Sequence, residues 1–106
     1  MNLRTLNLPE LGLLLFLLRD KAGAERLLAE LHTAQVTELN AEGAGNLRFV
    51  GRQPDRQLGE LIARTQFLDD DGVPVLVSLY LDQAGDLYEL DCWKVNDTAV
   101  RRIPAF

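Results

Sequence analysis

The chain has one cysteine, one histidine, one tryptophan and one methionine. A single cysteine excludes an internal disulfide and fits a reducing compartment, so a cytoplasmic protein is expected. With one histidine beside that cysteine, no zinc constellation can be assembled from the usual nitrogen and sulfur ligands. Bases are scarce as well. Eleven lysines and arginines stand against sixteen acids, giving a net charge of −5 and a pI near 4.7. A nucleic-acid binder normally carries a basic patch, so no nucleic-acid partner is expected. Long apolar runs are also missing. LGLLLFLL, Leu11 to Leu18, falls far short of the ~20 residues that cross a bilayer. Export is disfavoured too, because Pro9-Glu10 directly precede this run and Arg19-Asp20-Lys21 separate it from Ala22-Gly23-Ala24. No membrane partner is expected.

What is present suits one domain, residues 1–106, large enough to bury a core without metals or disulfides. Asn7 and Glu10 have the spacing of a capping box, and Leu6 and Leu11 that of a hydrophobic staple. Pro9 in the first turn costs no helical hydrogen bond. Leu11, Leu14, Leu15 and Leu18 form one stripe of a helix expected to end near Lys21, before Gly23. Ala24 to Leu31 repeats the helical pattern more briefly. Gln35 to Asn40 reads as a short strand, Ala41 to Asn46 as a turn, Leu47 to Val50 as a strand, and Gly51 to Gly59 as a loop.

The second half is strand signal throughout: Leu61 to Leu68, Val73 to Leu81 and Leu87 to Val95, separated by Asp/Gly turns. Side-chain parity fixes the faces, because a slip of one residue reverses every side chain. Val73, Val75, Val77, Leu79 and Leu81 form an apolar face. Leu61, Ala63, Thr65 and Phe67 join it if Asp70-Asp71-Gly72 is a three-residue loop with Gly72 in the left-handed conformation. Tyr88, Leu90 and Cys92 join it if Asp82-Gln83-Ala84-Gly85 is an even loop. Glu89, Asp91 and Trp93 then turn to the opposite face, beside Leu76, Ser78, Tyr80 and Arg64. The expected architecture is α+β: one or two N-terminal helices packed on one face of an antiparallel sheet of about five strands.

Candidate chemistry is thin. Glu89 and Asp91 lie two apart on one strand face, a spacing open to an acid/base pair, but no second lobe is available to form a cleft. Arg64, or Lys94 less directly, is expected to partner them. Asp69-Asp70-Asp71-Gly72 does not fit a calcium loop, because Phe67 and Ser78 would fall at its first and last ligand positions. Cys92 reads as a buried, inert thiol. His32 reads as a helix-capping residue. Gly43 and Gly45 lack the context of a phosphate loop. No catalytic residue, metal or cofactor is therefore assigned, and the chain is expected not to be an enzyme.

Surface character says more. From Asp69 to Trp93 the chain holds Asp69, Asp70, Asp71, Asp82, Asp86, Glu89 and Asp91 without a base. Two readings stand: solvated turns, or a field that attracts a cationic partner. Trp93 likewise has two readings, covered by Val100 to Phe106 or exposed as a contact anchor.

NLRFV at Asn46 to Val50, DDDGVPVLVSLYLDQAGDLYELDCWKVND at Asp69 to Asp97 and the closing RIP at Ile103 resemble an uncharacterised family of small bacterial α+β proteins. That family carries a "GxLxELDxWKxDxxP" core. The chain departs from its pattern at Asn46, where serine is usual, and at Ala99, where proline is. The family is similar in kind to immunity proteins of toxin systems. The resemblance implies a protein that binds and neutralises a cognate toxin, and the acidic stretch would steer it toward a toxin with a basic surface. The contact residues expected are Tyr80, Glu89, Asp91, Trp93 and Arg64, with Asp82 and Asp86 steering the partner. The other reading is a small-ligand or regulatory domain that uses the open sheet face, as a homodimer or alone.

Overall fold

Asn7 starts the first helix as its sequence predicts. In the computed structural model, which describes residues 2–40 and 42–106, the Asn7 side chain accepts the Glu10 N–H at 3.0 Å. The Glu10 carboxylate in turn accepts the Asn7 N–H at 2.9 Å. Glu10 is buried, and Arg4 forks onto both its oxygens at 2.8 Å, which compensates the charge. This helix, α1 (Leu8–Leu18), buries Leu13, Leu14, Leu17 and Leu18. It ends at Leu18 rather than near Lys21, where the Lys21 N–H already turns back to the Leu18 carbonyl at 3.1 Å, and Gly23 at φ +78° follows. A second helix, α2 (Glu25–Glu30), runs into a 3-10 turn at Leu31–Thr33 and buries Leu27 and Leu31. His32 is exposed in that turn. None of the described side-chain hydrogen bonds uses it, so the expected capping role is not seen.

Six strands form one antiparallel sheet: β1 (Arg4–Thr5), β2 (Gln35–Glu38), β3 (Leu47–Phe49), β4 (Leu58–Leu68), β5 (Pro74–Asp82) and β6 (Leu87–Lys94). Their order is β1-β2-β3-β6-β5-β4. The strand beyond the five expected is β1, whose two residues are too short for any periodicity to register. The loop expected to reach Gly59 stops at Gln57. Ala41, the first residue of the expected turn, lies outside the described residues; its last residues remain in a turn.

The two central hairpins decide which side chains share a face. In the first, Asp69 and Val73 close the pairing at 3.0 Å, leaving Asp70-Asp71-Gly72 with Gly72 at φ +81°. That is the expected loop. In the second, the Asp82 N–H bonds the Asp86 carbonyl at 2.8 Å, so only Gln83-Ala84-Gly85 remain, with Gly85 at φ +86°. The expected even loop is odd. Alone, that would swing Glu89, Asp91 and Trp93 into the core. A β-bulge at Tyr88 reverses the slip: Leu81 faces Leu87, while Tyr80 faces Glu89. The two departures cancel, and the three residues reach the open face after all. Tyr88 does not join the core as expected. It is half-buried, with the Arg48 and Arg56 guanidiniums 4.4 and 5.1 Å from its ring centre. A second bulge, in β4, moves Leu61 off the core face. Ala63 faces Leu79, but Leu61 faces Tyr80, and Ile62 packs on the core instead.

Helices and tail cover one side of the sheet. Leu14, Leu17, Leu27 and Leu31 meet Val36, Val77, Leu79 and Leu90 there, and Val100 and Ile103 complete the core. Phe106 lies 5.0 Å from the Phe16 ring and 6.1 Å from that of Phe67.

Candidate functional site: the open sheet face

The side of the sheet away from the helices is ordered in rows by the strand register. Trp93, Leu76 and Gln66 form one row across β6, β5 and β4. Asp91, Ser78 and Arg64 form the next. Arg48 of β3, Glu89, Tyr80 and Leu61 form the third. The expected contact residues Tyr80, Glu89, Asp91, Trp93 and Arg64 therefore share one surface. Trp93 is 50% exposed and its neighbour Leu76 40%. The tail lies on the helix side, so the reading in which Val100 to Phe106 cover the indole is overturned. The indole N–H donates to Asp97 at 3.3 Å. Asp97 sits in the left-handed region at φ +61°, which aspartate tolerates, in a turn closed by its N–H to the Lys94 carbonyl.

The acidic stretch is largely neutralised by bases from distant parts of the chain. Asp82 is buried: one oxygen accepts the Ala84 and Asp86 N–H groups, and the other pairs with Arg56 at 2.9 Å. Burial alone would raise its pKa, but Arg56 and these amides hold it below the ordinary value. Asp82 is thus a turn clamp and not a surface residue, contrary to expectation. Asp86 is half-buried and paired with Arg26 at 2.8 Å, so it does not steer a partner freely either. Glu89 is held by Arg48 at 2.5 Å, not by Arg64. Lys94 is not a partner of Glu89 or Asp91. It belongs to the core face, where its ammonium meets Asp69 at 3.0 Å and Asp71 at 2.6 Å. Arg101 reaches Asp70 at 3.4 Å.

Asp91 is the member of this stretch with no cation partner among the described residues. Burial first, and then the neighbouring Glu89, push its pKa up to about 6, against a smaller opposing pull from Arg48. Arg64, exposed two strands away, likewise has no acid partner among the described residues. The carboxylates of Asp69, Asp70 and Asp71 converge within 4.8 Å, but the Lys94 ammonium already supplies the positive charge there.

Beside Trp93 the β2–β3 turn and the turn after β6 leave a groove of about 510 Å³, reached by Glu42, Asn46, Asp91, Asp97 and Thr98. Its floor is built from Asn46, whose side-chain amide accepts the Cys92 N–H and donates to the Cys92 carbonyl, both at 3.3 Å. The amide thus extends the β3–β6 ladder by one residue. Cys92 beneath it is buried, and burial raises its thiol to about 12, which leaves it inert.

Three residues of the site escaped sequence reasoning. Arg48 carries a signal, since it alternates with Leu47 and Phe49 and so must face outward. Arg56 has none: it is a loop arginine that donates to the carbonyls of Phe49 and Leu87 and to Asp82. Asn46 stood out only as a departure from a usual serine.

The chain belongs to the DUF6984 family, a domain of unknown function, whose model spans residues 3–104. No curated protein and no solved structure matches it.

Proposed function

We propose that the protein is a non-enzymatic binding module that docks a protein partner on its open sheet face. In this reading it is an immunity-type inhibitor of a cognate bacterial toxin, acting in the cytoplasm. One observation carries the reading: a half-exposed tryptophan, fixed by Asp97, stands next to an uncompensated Asp91 on a sheet face that no described segment covers. Trp93, Leu76 and Tyr80 supply anchor area, and aromatic anchors dominate interface energetics. A lysine or arginine from a basic partner would relieve Asp91. Such a charge contact favours fast association and penalises wrong partners. The contact set is narrower than the acidic stretch suggests, because Asp82 and Asp86 are already engaged.

The test uses the product of the adjacent gene, which this reading expects to be a toxin. Trp93→Ala, shown by circular dichroism to be folded, is expected to weaken the complex with it by about 2 kcal/mol, roughly 30-fold in dissociation constant. An unchanged constant rejects the face as the contact.

A further inference from the structure

Asp91 and Arg64 flank Ser78 in a single row, each one strand away from it. Strands lie about 4.8 Å apart, so the two backbones are about 10 Å apart and the charges do not meet within one molecule. A twofold axis parallel to β5 and lying above Ser78 changes this. It carries Asp91 of each molecule over Arg64 of the other.

We propose that a second copy of this chain occupies the open face, in a face-to-face homodimer about that axis. The charges select the geometry. An axis across the strands would set Asp91 against Asp91 and Arg64 against Arg64, whereas the axis along them satisfies both at once. The same operation stacks Leu76 on Leu76, Tyr80 on Tyr80 and Ser78 on Ser78, and lays each Trp93 over Gln66. Glu89, already neutralised by Arg48, falls over Leu61. Two sheets related in this way keep their strands nearly aligned, the ordinary arrangement of a β-sandwich about 10 Å thick. The contact is isologous and closes at two subunits. Burial and the neighbouring Glu89 raise the pKa of Asp91, so a cation from a second copy would be favourable there. The dimer stands on the geometry of the face. Only its consequence, that self-association competes with a toxin for Trp93, rests on the function proposed above.

Sedimentation equilibrium of the purified chain, without any partner, decides the matter. The unaltered chain is expected to dimerise. Arg64→Asp and Asp91→Arg, each folded by circular dichroism, are expected to raise the dimer dissociation constant more than about tenfold, because each now opposes like charges. Mixed in equal amounts, the two variants are expected to recover a dimer, since each then meets the opposite charge twice. A monomeric parent chain, single variants that dimerise as before, or a mixture that stays monomeric would each overturn the proposal. Loss of toxin binding in Trp93→Ala with a parent chain that never dimerises rejects the dimer alone. A dimer with the expected charge behaviour and an unaffected toxin complex rejects the docking function alone.

Discussion

Asp69 is the most heavily bonded acid among the described residues. It accepts the N–H groups of Arg101 at 2.7 Å, Arg102 at 3.3 Å and Asp70 at 2.9 Å, as well as the Lys94 ammonium. Burial by itself would raise its pKa, but these donors together hold it at about 2. The sign of the pH dependence follows. A carboxyl held below its ordinary 3.8 adds stability that is full above about pH 4 and disappears as the pH falls toward 2. Removing one member of a buried charge pair is costly, because the other is left behind. Asp69→Asn is therefore expected to lose about 3 kcal/mol at pH 7, with a thermal midpoint roughly 12–20 °C lower. The loss should shrink when melting is repeated near pH 2.5. A variant that melts like the parent at pH 7 would show that Lys94 is satisfied by Asp71 alone.

Among the elements, the positions of the turns were legible, but the length of the second turn and the bulges were not. Gly72 and Gly85 announce their hairpins because only glycine takes φ near +80° without strain. The bulge at Tyr88 has no local signal. Its surroundings come from Arg48 and Arg56, which lie on β3 and in the loop before β4. The same distance hides the fate of the acids. A window from Asp69 to Trp93 contains no base, yet Arg26, Arg48, Arg56 and Arg101 reach into it from elsewhere, and Lys94 lies just beyond its end. Parity along single strands, in contrast, is a local property, so that Trp93, Asp91 and Glu89 share one face was readable, whereas their lying on the open face depended on a loop length and a bulge that offset one another. Glycine positions also separate by what surrounds them. At Gly45, with φ +87°, an added Cβ would stand 2.4 Å from the Cys92 sulfur, whereas at Gly72 nothing lies within 4 Å. Gly72→Ala is expected to cost about 1–2 kcal/mol, the backbone penalty alone. Gly45→Ala adds a steric clash in the core and should cost clearly more by urea denaturation. Equal midpoints for the two would mean that β6 moves aside cheaply.

Taken whole, the molecule is a sheet insulated on one side and bare on the other. The tail is held on the insulated side, by Val100 and Ile103 in the core, Phe106 against Phe16 and Phe67, and the Arg101 and Arg102 amides on Asp69. Acid or a substitution that releases Asp69 is therefore expected to loosen the tail and the turn at Asp70 first, since those are the amides it holds. The family membership covers both sides of this sheet, since its model runs from residue 3 to residue 104.

Cys92 sits where tail, β6 and the Asn46 amide close over one another, and it is the chain's sole sulfhydryl. A chromogenic disulfide reagent added to the native protein should therefore wait for the molecule to open before it finds anything to modify. The chain thus carries a built-in stopwatch. Reagent uptake should slow wherever a bound partner or a second copy holds the fold shut, and a fast reaction in the native state would mean that this seam breathes on its own.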